Sequence, residues 1–448
     1  MLSSRATFGS KIGIILATAG SAVGLGNIWR FPYEAGQNGG AAFILIYVAF
    51  VIVLGVPAML CEFIIGRHGR ANASRAYGSG PWKLVGYMGV LTGFIIMGFY
   101  SVVAGWTLQY MAAALTGRLH GDAEYFTRYF AEFSSHPIKP LMWTLLFMLF
   151  THYVISHGVQ KGIERASKLM MSVLFLLLIV LVVCSLCLPG AWKGVEFLFK
   201  PDFSKVTSAT LFEAMGQTFF SLSIGMAVLS TYASYFSRQT RLVRSAVQIV
   251  AIDTLVAVIS GLMIFPAAFS VGIAPDSGPS LIFITLPNVF QNAFAAAPLA
   301  GYVISILFYL LITIAALTSI ISMHEVPTAF VCEEFHTGRK IAAGAVTSVA
   351  VLVGALCSLS MGPCPWLSLF GKNLFDFFDF LTANILLTSG GFLTCIYVGW
   401  FVPTRVTYME LTNWGTIRMR FYRTFIFTIR YVCPTLIAMI FLHQSGWL

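Results

Sequence analysis

Apolar runs of membrane-spanning length recur along almost the whole of this 448-residue chain. Hydrocarbon offers a backbone no hydrogen-bond partners, so runs of about 20 apolar residues must close their bonds internally, as helices. Such spans fall at about 11–33, 41–65, 84–115, 140–157, 168–188, 207–236, 242–270, 300–332, 341–361, 375–402 and 425–446. Only 10% of the residues are charged, against about 25% in a soluble domain. The fold class is therefore an all-α polytopic membrane protein with about 11 transmembrane helices. An odd count places the two termini on opposite sides. The longer connections on the side away from the N-terminus are 116–139, 189–206 and 271–299. The last carries Pro275, Pro279 and Pro287 and is expected to fold as short helices in a lid.

The net charge of +10 does not point to nucleic acid, because the cations follow membrane topology. Two thirds of the 27 Lys and Arg lie on the side of the N-terminus, among them Arg67 and Arg70, Lys161 and Arg165, Arg238 and Arg241, and Arg418 to Arg423. The opposite side holds Arg118, Arg128, Lys139, Lys193, Lys200, Lys205 and Lys372. That bias predicts a cytoplasmic N-terminus in a plasma membrane. The first apolar run opens with Lys11 and shows no cleavage signal, so it is expected to stay in the protein. The eight cysteines have no metal-like spacing and read as packing residues, with Cys357 and Cys364 the one pair that could meet near the far face. The aromatic residues, 15% of the chain, are expected mostly at lipid-facing and interfacial positions.

The first span is interrupted. Gly13, Gly20, Gly24 and Gly26 lie within KIGIILATAGSAVGLGNIWRFPYEAGQNGG, followed by Asn27 and Arg30. Each interior glycine weakens a helix by about 1 kcal/mol relative to alanine, so the segment from Gly20 to Gly26 is expected to unwind. Unwound backbone at membrane depth is tolerated only where it is buried in protein or lines a polar cavity. The sixth span repeats the pattern, with Ser221, Ser223 and Gly225 at its midpoint; serine can bond back to the backbone and compete with the helix. The breaks are five spans apart in chain order, an odd interval, so these two helices cross in opposite directions. Paired broken helices in antiparallel halves point to an inverted-repeat transporter with its site at mid-membrane. Exposed N–H groups at a half-helix N-terminus attract a carboxylate, and carbonyls at a half-helix C-terminus attract a small hard cation. The pattern implies an anionic or zwitterionic solute carried with cations.

Four segments, AGSAVGLGNIWRFPYEAGQNGG, KGIER, GQTFFSLSIG and ALTSIIS, resemble those of the neurotransmitter:sodium symporters, especially the bacterial amino acid members, which would make this a bacterial inner-membrane protein. The resemblance implies two five-helix inverted-topology repeats, residues 1–190 and 206–402, plus an eleventh helix at 424–448. It implies one sodium site at Gly20, Val23, Ala315, Thr318 and Ser319. A second would use Ala22, Asn27, Ser221, Asp253 and the substrate carboxylate. The implied substrate pocket is lined by Ala22, Gly24, Leu25, Gly26, Ile96, Tyr100, Phe220, Ser221, Ser223, Met226, Ser319 and Met323, with Tyr100 also touching the carboxylate and Phe220 as its lid. The implied outer gate is Arg30 with Asp379. The inner gate is Arg5 with Glu333, helped by Phe8 and Tyr235.

Three positions sharpen this. Gly24 stands where monoamine carriers of the family have an aspartate for the amine, so the substrate is expected to bring its own carboxylate as an α-amino acid. Met226, Met323 and Ile96 make the side-chain pocket apolar and adaptable, which suits hydrophobic or aromatic amino acids. Asp253 stands where chloride-dependent members have asparagine, and Ala257 replaces their serine one turn on. A mid-membrane charge costs roughly 3 kcal/mol or more and is usually functional. An acid in the sodium shell predicts chloride-independent transport, with proton antiport open when Asp253 empties. Ser172 replaces a helix-5 proline that often follows Gly162 at this distance; serine keeps its N–H and forces no break. Phe8 replaces a tryptophan, so a smaller inner plug is expected.

Some residues admit two readings. Glu62 is either a satisfied core acid or the partner of amides freed in the sixth span. His324 and Glu325 either line the pocket or pack as helix-facing polar groups. Gln217 could hydrogen-bond near Arg30. The scattered histidines and carboxylates form no catalytic set, so no enzyme activity is expected, and no charge ring or filter repeat suggests a channel. The expected function is a sodium-coupled amino acid symporter in a lipid bilayer that binds no nucleic acid. A sodium-dependent amino acid receptor without net transport is the alternative.

Overall fold

The computed structural model describes residues 6–273 and 280–444. Eleven membrane helices follow the expected spans. They are α1 (Lys11–Ala22, then Gly26–Gln37), α2 (Ala41–Gly69), α3 (Lys83–Leu115), α4 (Lys139–Ser156), α5 (Val159–Leu186) and α6 (Ser208–Ser221, then Val228–Ala233). The rest are α7 (Leu242–Val271), α8 (Pro298–Glu334), α9 (Arg339–Ser360), α10 (Leu374–Phe401) and α11 (Tyr422–His443). Eight are long and apolar enough to span alone, and α1 does so as a pair of helices bent by 58°. The halves of α6 are too short individually. The first half of α1 touches the second half of α6, and the second half of α1 touches the first half of α6. The two broken helices are therefore antiparallel, as the four spans between them require.

The breaks have local causes. After Ala22 the chain turns extended at Val23 (φ −69°, ψ 104°). In α6 the segment between the halves carries positive φ at Ser223, Gly225 and Ala227 (55°, 93° and 59°). Left-handed backbone costs about 1–2 kcal/mol per non-glycine residue, so the break persists only because its surroundings hold it. Gly225 also could not carry a side chain, since a Cβ there would lie 2.2 Å from the Leu387 carbonyl of α10.

Helix 5 behaves as Ser172 predicts. After a wide turn at Val159–Glu164 it runs unbroken from Arg165 to Leu186, and Ser172 Oγ bonds back to the Lys168 carbonyl at 2.8 Å. In the 271–299 connection, residues 281–293 are helical, as the prolines suggest; Pro275 and Pro279 lie outside the described residues. Several elements have no sequence counterpart above. A helix at Ala123–Ser134 meets α4 at 75°. A two-stranded hairpin pairs Ser368–Leu369 with Lys372–Asn373, and a helix covers Thr404–Leu411 on the N-terminal side.

The aromatic expectation needs correcting. The largest fully buried side chains are all aromatic, led by Trp106, Tyr47, Tyr110, Tyr232 and Tyr309. Trp106, Tyr110 and Phe130 close on Phe283 at 4.8–5.7 Å between ring centroids, sealing α3 against the helical part of the 271–299 connection. Composition alone does not say which side of a helix an aromatic ring occupies. Cys357 and Cys364 are both free thiols.

Candidate functional site

The centre of the molecule is built where the two breaks face α3, α7 and α8. Asp253 of α7 is fully buried. Its Oδ1 accepts from Asn27 Nδ2 at 2.8 Å, and its Oδ2 accepts from Ser221 Oγ at 2.7 Å and from Tyr47 Oη at 3.3 Å. Asn27 Nδ2 also reaches Ser221 Oγ at 3.3 Å and the Asp253 carbonyl at 3.2 Å, while its Oδ1 accepts from Gly24 N at 3.0 Å. A buried acid, a hydroxyl and an amide oxygen are thus gathered from α1, α6 and α7. Hard cations take oxygen ligands of this kind.

A second oxygen cluster is neutral. Thr318 Oγ1 donates to the Ala315 carbonyl at 2.9 Å and lies 3.4 Å from the Val23 carbonyl; Ser319 Oγ lies 3.4 Å from the same oxygen. Gly20 packs on Thr318, with room for nothing larger than a methyl group. Helix spacing explains the convergence, because Ala315, Thr318 and Ser319 stand at i, i+3 and i+4 on one face of α8.

Beside these clusters stand the side chains expected to line the substrate pocket. Ile96 and Tyr100, one turn apart on α3, are buried, as are Met226 in the α6 break and Met323 on α8. Tyr100 Oη accepts from Leu25 N at 3.3 Å, at the N-terminus of the second half of α1. Ser223 Oγ bridges the breaks by donating to the Ser21 carbonyl at 3.1 Å, next to Ala22. A Cβ on Gly24 would lie 2.4 Å from Ser319 Oγ and 3.4 Å from Tyr100 Oη, so this position has space only for hydrogen. Phe220 lies against Gly26, and its ring carries the Arg30 guanidinium 4.6 Å from the centroid.

Comparison with known proteins agrees with this geometry. The sodium:neurotransmitter symporter family pattern matches residues 5–123 and 118–445. An uncharacterized sodium-dependent transporter, YhdH of Bacillus subtilis (strain 168), is 40% identical over 443 residues, covering 98% of this chain and 97% of the relative. The chain belongs to the sodium:neurotransmitter symporter family. A sodium-dependent dopamine transporter of Bos taurus is similar at 26% identity over 89% of this chain and 63% of its own length. Among solved structures, that of MhsT in complex with L-phenylalanine superimposes with a TM-score of 0.88 at 40% identity, covering 98% of this chain and 100% of that one. The protein is a sodium-coupled membrane transporter and not an enzyme.

Family membership gives the flanking residues their context. On the far side, Arg30 Nε lies 3.8 Å from Glu34, one turn along its own helix. The expected partner, Asp379, forms no ion pair with it within 4.0 Å; nearby Asp376 is taken by Asn373 at 2.7 Å. On the N-terminal side Arg5 lies outside the described residues, and Glu333 Oε2 accepts from Asn72 N at 2.7 Å. Phe8 packs edge-on against Tyr232 and Tyr235, with centroids 5.8 and 6.1 Å apart.

The residues with two readings resolve. Glu62 accepts from Gly225 N at 2.7 Å and Ser230 N at 3.2 Å, so it is the partner of the freed α6 amides. Glu325 and His324 are polar packing. Glu325 takes Tyr235 Oη at 2.6 Å and the Arg339 guanidinium, and His324 lies 2.8 Å from Thr347 Oγ1 and 2.9 Å from Thr328 Oγ1. Gln217 is buried, and neither its amide nitrogen nor its oxygen has a protein partner; the expected bond toward Arg30 does not form.

Sequence reasoning missed several participants. Tyr47 had no local signal, because one tyrosine in an apolar span looks like any other. Glu164 lies in KGIER, yet only the fold reveals that it accepts from Gly9 N at 2.7 Å and Ser10 Oγ at 2.8 Å, tying the start of α1 to α5. Arg67, almost fully buried, pairs with Glu410 at 2.6 Å; an arginine at a span end reads as a topology marker until its partner, 343 residues away, is seen.

Proposed function

We propose that this protein imports hydrophobic or aromatic L-amino acids with sodium, through two sodium sites and without chloride. The observation that carries the reading is Asp253, a buried carboxylate shared by Asn27, Ser221 and Tyr47, within reach of a pocket that contains no second acid. Its negative charge would balance one sodium ion, so chloride would have no charge left to neutralise. The neutral cluster of Val23, Ala315, Thr318 and Ser319, with Gly20, would hold the other ion. The Ala22 carbonyl and the substrate carboxylate would complete the first.

The substrate class follows from space and polarity. Gly24 leaves neither room nor charge for an amine-binding acid, so the ligand must bring its own carboxylate, facing Leu25 N, Gly26 and Tyr100. Ile96, Met226 and Met323 suit an apolar side chain, and the MhsT complex contains L-phenylalanine. Phe220 would close over the ligand, with Arg30 and Asp379 as the outer gate and Arg5, Glu333, Phe8 and Tyr235 as the inner one. The charge bias places the N-terminus in the cytoplasm. Sodium and substrate share one coordination shell, so each raises the affinity of the other by the same factor.

The test is thermal stabilisation of the purified protein, with and without sodium, across the common amino acids. Stabilisation by leucine, phenylalanine or tryptophan only when sodium is present supports the reading; stabilisation by amines lacking a carboxylate overturns the substrate class. Uptake into proteoliposomes separates the symporter from a receptor. Uptake should persist when chloride is replaced by gluconate, and collapse there would overturn chloride independence.

A further inference from the structure

On the side opposite the N-terminus lies a groove whose lining shares no residue with the central site. It is a cavity of about 620 Å³ between the end of α3, the helix Ala123–Ser134 and the outward side of α4. The 75° bend between that helix and α4 creates it, since the short helix crosses above α4 instead of continuing its line. The short helix is amphipathic: Phe126 and Phe133 are buried, and Tyr129 and Glu132 border the groove. Helices of this kind ride at the membrane interface. Below it, Leu145, Leu146 and Leu149 form an aliphatic wall, each 39–50% exposed. Lys139 to Leu149 spans about 15 Å of helix, half of a hydrocarbon core of about 30 Å. The stretch from the rim lysine to the last leucine is thus as long as one leaflet is deep.

The rim is charged on both signs. Arg118, Lys139 and Glu132 all line the cavity, and none of them is in an ion pair among the described residues. Gln109 Nε2 holds Tyr129 Oη at 2.9 Å between them. Two cations alone would suit any anionic headgroup, but the acid requires a cation in the same ligand. A zwitterion with hydrogen-bonding N–H groups meets both demands, which a choline headgroup, lacking N–H, does not.

We propose that this groove binds one phosphatidylethanolamine-type phospholipid of the adjacent leaflet. Its phosphate lies toward Arg118 and Lys139, its primary ammonium toward Glu132, and one acyl chain follows the leucine wall of α4. The site is separate from the sodium and substrate centre and would brace the short helix against α4.

Native mass spectrometry of the full-length protein tests this, with equal amounts of phosphatidylethanolamine, phosphatidylglycerol and phosphatidylcholine of identical chains. The ethanolamine lipid should be retained about tenfold over the other two, a difference of about 1.4 kcal/mol. The double variant Arg118→Gln, Lys139→Gln should lose that adduct, and Glu132→Gln should keep a lipid but shift the preference to phosphatidylglycerol. These side chains are exposed, so folding is checked by unchanged sodium-dependent thermal stability. Equal retention of all three lipids, a phosphatidylglycerol preference in the parent, or unaltered selectivity in both variants overturns the proposal.

Discussion

The two broken helices perform the same backbone manoeuvre and are held in opposite ways. The α6 break is held by the protein itself. Glu62 of α2 takes two of its N–H groups with a carboxylate, and α10 presses on Gly225. The α1 break is met by neutral groups at longer range, with Gly24 N on Asn27 at 3.0 Å, Leu25 N on Tyr100 at 3.3 Å, and the Val23 carbonyl 3.4 Å from Thr318 and Ser319. Charge-assisted bonds are roughly twice as strong as neutral ones. The difference teaches that one break is scaffold and the other a surface held only by neutral groups, which the proposed function would exchange for a cation and a carboxylate.

Six substitutions at five positions can break or sharpen that contrast. Among variants that still fold, the largest effect is expected at Glu62. Glu62→Ala strands two buried N–H groups at about 1–3 kcal/mol each, and the apparent melting temperature of purified protein should fall steeply with or without ligand. Glu62→Gln keeps one good acceptor and should lose about half as much. If Glu62→Ala melts like the parent, α6 is not held as described.

Gly225→Ala and Gly24→Ala form the next pair. The first places a Cβ 2.2 Å from a backbone oxygen at positive φ and should yield no folded protein on gel filtration. The second comes too close only to the Ser319 hydroxyl, at 2.4 Å, which can rotate away, and its next neighbours lie at an ordinary contact distance of 3.4 Å. It should fold and lose sodium-dependent stabilisation by amino acids. Equal behaviour of the two would erase the distinction between scaffold and site.

Smaller effects distinguish the two oxygen clusters. Asp253→Asn removes the charge in the first and should weaken sodium binding by at least about tenfold, or 1.4 kcal/mol, in a sodium titration of ligand affinity. Thr318→Val removes one hydroxyl from the neutral cluster and should weaken it by less, since a neutral hydrogen-bonding group contributes about 1 kcal/mol. A reversed order would mean that the acid is structural and the neutral cluster dominates coupling.

Much of this was legible in the chain. Span limits follow from hydrophobic length and, apart from the start of α5, differ from the observed helices by a few residues, because a bilayer sets the minimum apolar length of a crossing. The α1 break announces itself through glycine, and the residues that the family resemblance assigned to the centre do converge. The partners of those residues were less legible. Tyr47, Glu164 and Arg67 act on groups 206, 155 and 343 positions away, and no local pattern records such a pairing. Arg30 and Asp379 show a looser case: the two residues assigned as partners from resemblance feel each other's charge but form no ion pair within 4.0 Å, with Arg30 turned to Glu34 and the Phe220 ring.

The sequence by itself determined the membrane class, the eleven crossings, the antiparallel relation of the two breaks and the presence of an acid where a sodium shell would need one. The first three depend on composition, length and parity, and the last is what the family resemblance implies; all are properties of the chain in order. Only the tertiary structure decided which break is rigid, what each buried polar group bonds to, and that an amphipathic connection folds over α4 to leave a groove. Those depend on which atoms from distant segments come within about 3 Å of each other, the range at which a hydrogen bond has any strength.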